Sequence, residues 1–188
     1  MKKVFLVVFM VLTSACVTAS TLKNSKVKNM EERAVIESLS KLEQAYGNLD
    51  VTWAERINSV TARYTPNASI QIGTKEDPWE GVIVNGREEL RKIAITRTFF
   101  DKYKCKFKYY APDILEVQGN KARVIYKYEI IQTVPFKTSS GNDWYMKEIG
   151  IYRVELSKTD GGWLVSKSRW EIVENNSPQF QEYKRKKK

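Results

Sequence analysis

The sequence feature that most constrains the fold is a pair of apolar, β-rich runs within residues 147–174, joined by Lys158-Thr159-Asp160-Gly161-Gly162. Asp-Gly and Gly-Gly between such runs are typical of a β-hairpin, because glycine reaches positive φ without a Cβ clash. A hairpin alone is marginally stable in water and must cover one face with other elements. The rest of the chain is therefore expected to pack against this hairpin.

A second hairpin is predicted where Gln118-Gly119-Asn120 separates residues 114–117 from residues 122–133. Residues 104–110 alternate basic and apolar side chains and form a further predicted strand, whereas residues 135–143 are expected to be a polar loop. One face of the strand at 122–133 carries side chains at alternate positions, namely Val124, Tyr126, Tyr128 and Ile130. The second half of the chain thus indicates a mainly antiparallel sheet.

The first half of the chain indicates helices. Asn29 and Glu32 resemble a capping box at the start of the first helix, which Gly47 ends. Its apolar face is formed by Val35, Leu39, Leu42 and Tyr46. Asp50 is placed to cap a second helix, and Thr65-Pro66-Asn67 stops it. The inner face of this second helix is formed by Trp53, Ile57, Val60 and Tyr64.

Two short strands and a third helix complete this half. The strands are predicted at residues 68–72 and 79–84, and the helix begins at Asn85-Gly86 and continues to about Phe100. Helices followed by long antiparallel strands are typical of an α+β fold with helices packed on one face of the sheet.

Three motifs carry a family resemblance. Tyr64-Thr65-Pro66-Asn67-Ala68 resembles the start of a first strand, and Gly86-Arg87-Glu88-Glu89-Leu90 resembles a helix start. Asp160-Gly161-Gly162-Trp163-Leu164-Val165, followed by Trp170, resembles a closing hairpin. In this order they resemble the SnoaL-like branch of the nuclear-transport-factor-two-like superfamily, over about residues 31–174. The resemblance implies an α+β cone, in which a strongly curved, mainly antiparallel sheet wraps around a long N-terminal helix as a single domain over residues 30–176.

Such a cone is expected to leave an apolar pocket at its wide end, which suits a small apolar ligand. Strand parity and helix faces place seven residues there, namely Tyr46, Trp53, Tyr126, Tyr128, Glu148, Tyr152 and Trp170. Core packing is the other explanation of the aromatic members, since aromatic side chains bury large areas with or without a ligand. Glu148 is the candidate catalytic residue, because a carboxylate facing an apolar cavity has a raised pKa and can act as an acid or base. A rim position in water is its alternative.

Catalytic groups of the resembled enzymes are missing. Family isomerases use a tyrosine and a protonated aspartate as an oxyanion hole, with an aspartate base. Here the corresponding acid position falls near Gly150, and Ser69-Ile70-Gln71-Ile72 offers no base. The chain contains no histidine, which excludes serine-histidine triads and disfavours zinc or non-haem iron sites. Without a Gly-x-Gly-x-x-Gly, phosphate-loop or Cys-x-x-Cys motif, no cofactor or metal is expected.

The N-terminal residues are typical of an export signal. Lys2 and Lys3 precede an apolar run at residues 4–12, and Thr13-Ser14-Ala15-Cys16 resembles a bacterial lipobox that would be lipidated at Cys16. Val17-Thr18-Ala19 would suit ordinary signal peptidase instead. Residues 1–19 are interpreted as the signal peptide and residues 20–29 as a polar tether. The expected location is the periplasm, or the envelope membrane as an anchored lipoprotein. Cys105 would then be the one remaining cysteine, so no intramolecular disulfide is expected.

The formal net charge of +10 is concentrated at the two ends. Two positive charges belong to the signal peptide and five to Lys184-Arg185-Lys186-Lys187-Lys188, which leaves about +3 for the rest of the chain. The basic tail at residues 177–188 is interpreted as a frayed, solvated end, with contact to anionic lipid as the alternative. Nucleic acid is not an expected partner, since no basic face with interleaved aromatic residues accompanies the run.

Three functional hypotheses remain open at this point. The first is a non-enzymatic envelope module that binds a small apolar ligand or a protein partner through the mouth or sheet of the cone. The second is an isomerase, dehydratase or cyclase that uses Glu148 with Tyr46 or Tyr128. The third is a periplasmic scaffold that forms a homodimer across the sheet, as the resemblance to periplasmic domains of type IV secretion factors implies.

Overall fold

The computed structural model describes residues 27–48, 50–72, 82–96, 105–132, 136–137 and 141–186. Its helices are α1 (Met30–Gly47), α2 (Trp53–Thr61), α3 (Arg87–Thr96) and α4 (Pro178–Lys186). Its strands are β1 (Tyr64–Ile72), β2 (Val82–Asn85), β3 (Cys105–Tyr109), β4 (Ile114–Gln118), β5 (Lys121–Gln132), β6 (Phe136–Lys137), β7 (Asp143–Trp144), β8 (Lys147–Thr159) and β9 (Gly162–Asn175). The predicted signal peptide, Cys16 and most of the predicted tether lie outside the described residues.

Seven strands form one sheet in the order β2-β1-β9-β8-β5-β3, and β4 also pairs with β5. Neighbouring strands are antiparallel except β1 and β9, which are parallel. The register between β8 and β9 shifts at Ile149/Gly150 and at Glu155/Leu156, and such bulges bend a strand pair. The curled sheet with a few helices confirms the predicted α+β cone.

Helix α1 packs against the sheet and gives the cone its core. Its side chains Val35, Leu39 and Leu42 are buried in one hydrophobic cluster with residues of β1, β5, β8 and β9. The hydroxyl of Ser38 donates to the backbone carbonyl of Trp163 across 2.5 Å, which ties the first half of α1 to the start of β9. The helical periodicity and the strand alternation therefore supply two apolar surfaces that cover each other.

The caps of the first two helices differ in part from the expected ones. Asn29 caps α1 through its side chain, which accepts from the backbone N–H of Glu32 at 2.9 Å. The predicted cap of α2 was wrong, because Thr52 and not Asp50 is its N-cap. Thr52 Oγ1 accepts from Glu55 N at 3.3 Å, and Glu55 Oε2 accepts from Thr52 N at 2.9 Å. These reciprocal hydrogen bonds satisfy two helix-end donors at once, which a carboxylate at Asp50 does not do.

Three element boundaries also differ from the predictions. Helix α2 ends at Thr61 and β1 begins at Tyr64. Tyr64 therefore belongs to a strand and not to the second helix, and Pro66 lies within that strand instead of ending the helix. The predicted polar loop at residues 135–143 contains β6 and the start of β7. These two short strands pair with each other in antiparallel fashion, Phe136 with Trp144 and Lys137 with Asp143. The basic tail forms α4 from Pro178 and does not fray there.

Among the residues that the structure describes, none of the helices combines the length and the apolar character that a membrane span requires.

Candidate functional site

An aromatic cluster fills the inner side of the sheet. The ring centroid of Tyr152 is 4.1 Å from that of Trp170 and 5.3 Å from that of Tyr126. Trp170 also contacts Tyr128 at 4.8 Å and Tyr46 at 5.9 Å, measured between ring centroids. Tyr126, Tyr128 and Tyr152 are each less than 2% exposed. Protein atoms therefore cover these three side chains on all sides.

Three phenol hydroxyl groups form a chain within this cluster. The hydroxyl oxygens of Tyr64 and Tyr152 are 2.8 Å apart, and those of Tyr46 and Tyr64 are 3.5 Å apart. Burial raises the pKa of all three tyrosines well above the usual value of a phenol, because a low-dielectric interior disfavours the phenolate. At physiological pH these groups are therefore neutral and link α1, β1 and β8 through hydrogen bonds.

Glu148 lies at the edge of the aromatic cluster, and both of its carboxylate oxygens are engaged. The Tyr128 hydroxyl donates to Oε1 at 2.9 Å, and the side-chain amide of Asn175 donates to Oε2 at 2.8 Å. Asn175 is buried, and its Oδ1 accepts from the backbone N–H of Ser177 at 2.7 Å. Glu148 thus joins β5, β8 and the end of β9 with donors that the chain itself supplies.

Gly150 makes room for the Tyr128 side chain. A Cβ atom built at Gly150 would lie 2.4 Å from the Tyr128 Cζ and hydroxyl oxygen, and 2.4 Å from the backbone carbonyl oxygen of Glu171. Gly150 and Glu148 are on the same face of β8, since they are two residues apart. The ring of Tyr128 therefore occupies the space beside Gly150, the position where the family resemblance predicts an acid.

A second carboxylate is partnered on the opposite face of the sheet. Glu129 accepts a hydrogen bond from the Tyr110 hydroxyl at 2.9 Å and lies 3.0 Å from Lys147 Nζ. The hydrogen bond from Lys147 is the main cause that lowers the pKa of Glu129 below its usual value, and it outweighs the opposing effect of burial. Glu129 is therefore held in its charged form by the ion pair with Lys147, which does not favour a role in proton transfer.

Six of the seven residues predicted for the pocket are brought together. Ring contacts and the Tyr128–Glu148 hydrogen bond connect Tyr46, Tyr126, Tyr128, Glu148, Tyr152 and Trp170. Trp53 lies elsewhere, on α2, where the guanidinium carbon of Arg56 is 5.2 Å from its ring centroid. Trp53 is not a member of the central hydrophobic cluster that the described residues form.

Sequence reasoning missed three members of this region. The helical spacing assigns Tyr64 to the second helix, whereas it begins β1 and reaches the Tyr152 hydroxyl. Asn175 lies one residue beyond the predicted closing strand. Tyr109 contacts Tyr126 with ring centroids 5.5 Å apart. The alternation of Phe107 and Tyr109 in the predicted strand is the signal that could have identified Tyr109.

The acidic and cysteine side chains do not form a metal-binding constellation within the described ranges, where no three of them come together. The inner cluster instead consists of rings, hydroxyl groups and one carboxylate that is already hydrogen-bonded on both oxygens.

No protein-family model and no curated protein matches this chain. Solved structures match it in fold. An NTF2-like protein with a cystatin-like fold from Novosphingobium aromaticivorans has a TM-score of 0.58 at 11% identity, over 81% of this chain and 88% of that one. A protein of unknown function with a cystatin-like fold from Nostoc punctiforme has a TM-score of 0.55 at 13% identity, over 82% and 97%.

A ketosteroid isomerase-like protein from Erwinia carotovora atroseptica is similar to the same extent. Its TM-score is 0.55 at 14% identity, and the match covers 78% of this chain and 99% of that one. At these identities the similarity shows the fold alone. The chain therefore has the NTF2-like fold that the sequence motifs suggested.

Proposed function

We propose that this chain, with its NTF2-like fold, is an exported protein of a bacterial envelope in which the cone is a non-catalytic scaffold that binds a protein partner. Export is supported by the N-terminal pattern that ends near Cys16. The rest of the proposal is supported by the burial of three tyrosines on the inner side of the described sheet. Ligand pockets present apolar side chains to an open volume, whereas Tyr126, Tyr128 and Tyr152 are covered by other protein atoms.

The occupied carboxylate supports the same conclusion. A general acid or base needs an oxygen that can reach the proton it transfers. Here one oxygen of Glu148 accepts from Tyr128 and the other from Asn175. These bonds cross-link three strands, so Glu148 serves to hold the cone together.

The outer face of the sheet is the surface that we propose for the protein partner. Along β8 the outward positions alternate with the inward Gly150 and Tyr152, and they include Ile149 and Ile151, both half-buried. Ile151 lies opposite Lys127 of β5. An apolar centre bordered by charged side chains is typical of protein interfaces.

Photo-crosslinking in the living cell tests this assignment. We expect a photoreactive amino acid at Ile151 to give a discrete crosslinked protein band, either with a second copy of the chain or with another envelope protein. Ile83 on β2 is the matched control, because it is 58% exposed and lies at the far edge of the sheet. Equal crosslinking at both positions, or none at Ile151, would contradict the proposal.

Native mass spectrometry of the protein extracted from the envelope tests the filled interior. We expect the mass of the processed chain with no bound organic molecule. A stoichiometric small molecule that survives mild extraction, and that is lost in a Tyr152→Ala variant, would show instead that the cone binds a ligand.

A second candidate function is favoured by one observation, the 2.9 Å hydrogen bond between Tyr128 and the half-buried Glu148. A carboxyl group paired with a phenol can transfer a proton to or from a carbonyl compound, and one structural neighbour is described as ketosteroid isomerase-like. The chain would then be an isomerase, dehydratase or cyclase. In that case a Glu148→Gln variant would lose any such activity found in the wild type by about 100-fold or more, and an unchanged rate would exclude this candidate.

A further inference from the structure

Helix α4 and Asn176, which precedes it, are fixed to the end of the sheet by side-chain hydrogen bonds. The Gln181 side chain donates to the backbone carbonyl of Asn175 at 2.6 Å, and Lys184 Nζ donates to the carbonyl of Val173 at 2.9 Å. The Asn176 side chain accepts from the backbone N–H of Lys147 at 2.8 Å and donates to the carbonyl of Tyr145, also at 2.8 Å. The basic residues of α4 are therefore displayed at a defined place next to β8 and β9.

Three exposed apolar residues lie near these hydrogen bonds. Tyr145 is 50% exposed, Val173 is 47% exposed and Ile131 is 42% exposed. Val173 and Tyr145 carry the carbonyl groups that bind Lys184 and Asn176, and Ile131 is the register partner of Lys147. Tyr145 and Ile131 thus lie near Asn176, which precedes α4, and the backbone of Val173 contacts Lys184 in the basic last turn of that helix.

Two lysines lie in one row on the outer face of the sheet. Ile131 of β5 pairs with Lys106 of β3 on one side and with Lys147 of β8 on the other, so the three side chains share one row on the outer face. Lys106 and Lys147 are exposed. We use the name basic rim for the surface made of Lys106, Ile131, Tyr145, Lys147, Val173, Lys184, Arg185 and Lys186.

Acidic residues compensate this charge in part. Glu182 pairs with Lys186 at 2.8 Å, and Glu129 pairs with Lys147 at 3.0 Å. Lys187 and Lys188 follow α4 directly in the sequence and add two positive charges. The five basic residues of the rim therefore outnumber the two acidic residues that pair with them.

We infer that the basic rim is a docking surface for an anionic lipid bilayer. Lysine and arginine side chains attract lipid phosphates, and tyrosine and aliphatic side chains enter the boundary between headgroups and acyl chains. The exposed aliphatic residues Ile131 and Val173 distinguish this surface from a nucleic-acid site, where phosphate contacts and stacking rings provide the affinity. Docking through the rim would leave Ile151, four residues along β8 from Lys147, available to a protein partner.

Vesicle flotation tests the inference on the processed chain, residues 20–188, which carries neither the apolar run of the predicted signal peptide nor an acyl chain on Cys16. We expect binding to vesicles of phosphatidylcholine with 30% phosphatidylglycerol, little binding to phosphatidylcholine alone, and a steep loss of binding between 50 mM and 500 mM salt. Replacing Lys184, Arg185 and Lys186 by glutamine should weaken binding to the anionic vesicles by about 100-fold, or about 5-fold for each charge.

Two further variants separate the contributions to binding. Tyr145→Ser combined with Val173→Ser should reduce binding by about 5-fold or more at both salt concentrations, since apolar insertion is not screened. The matched control replaces three exposed basic residues on α1 and α3 by glutamine, namely Arg33, Lys41 and Lys92. This control removes the same charge and should bind as the starting protein does.

Equal binding by the rim variant and the control variant would overturn the inference, since the attraction would then depend on net charge alone. Binding that does not depend on anionic lipid would overturn it as well. The Ile151→Lys variant should bind vesicles normally. Failure of the protein-partner proposal is therefore distinguishable from failure of the docking surface.

Discussion

Gly150 shows how the absence of one side chain shapes the interior of the cone. Because an added Cβ would meet the Tyr128 ring and the Glu171 carbonyl at 2.4 Å, we expect Gly150→Ala to destabilise the fold by about 1–3 kcal/mol, as other overpacked cores do. Urea denaturation measures this change. Gly161→Ala is the control, since its Cβ would meet only Thr159 Oγ1 at 3.9 Å. Equal stability of the two variants would show that Tyr128 does not pack against β8 as described.

Glu129 makes the stability of the fold depend on pH. Its pKa is lowered in the folded state, chiefly by the hydrogen bond from Lys147. The carboxylate therefore stabilises the folded state fully at pH values above its unfolded-state pKa of about 4.3. This stabilisation is lost as the pH falls through the lower pKa of the folded state. We expect Glu129→Gln to be less stable than the wild type at pH 7, and the difference to disappear in acid.

Urea titrations of both proteins between pH 2 and pH 7 measure this difference. Glu155→Gln is a suitable control, because its ion pair with Lys167 is long, at 3.5 Å, and both side chains are more than half exposed; such surface pairs contribute little. A constant difference between Glu129→Gln and the wild type over the whole pH range would contradict the assignment of Glu129.

At the scale of elements, the capping of α2 gives a direct comparison between two candidate residues. Thr52 Oγ1 accepts from the backbone of Glu55 at 3.3 Å, whereas the Asp50 backbone N–H donates to Asn48. We expect Thr52→Ala to lower the free energy of unfolding by about 1 kcal/mol, the usual cost of losing an N-cap, and Asp50→Ala to have a much smaller effect. A larger loss for Asp50→Ala in chemical denaturation would reassign the cap.

At the scale of the whole molecule, α1 and the strands share one hydrophobic cluster. Because neither the helix face nor the inner face of the sheet can be covered without the other, we expect one cooperative unfolding transition. Tryptophan fluorescence and far-ultraviolet circular dichroism should give the same denaturation midpoint. Tyr152→Ala should lower both midpoints together, and separate midpoints would show that the helix and the sheet unfold independently.

Much of the fold follows from local pattern. Alternation identifies Val124, Tyr126, Tyr128 and Ile130 as one face of β5, and all four are buried. Glycine identifies the turn between β8 and β9, where Gly162 has a φ of 102°. Asn29 identifies the start of α1. These features involve residues close together in the chain, and the periods of helices and strands decide which side chains share a face.

Other features depend on contacts between distant parts of the chain. Tyr64 continues a helical pattern, but parallel pairing of β1 with β9 places it in the sheet, and its hydroxyl meets that of Tyr152, 88 residues away. Asn175 reaches Glu148 only because β8 and β9 are paired at that end. Alternation alone is enough to state that Tyr126 and Tyr128 of β5 point inward. Only the tertiary structure decides that Tyr126, Tyr128 and Tyr152 are covered by other protein atoms. Their burial depends on the distance between helix α1 and the sheet, and that distance is set by how side chains from separate strands and helices pack together.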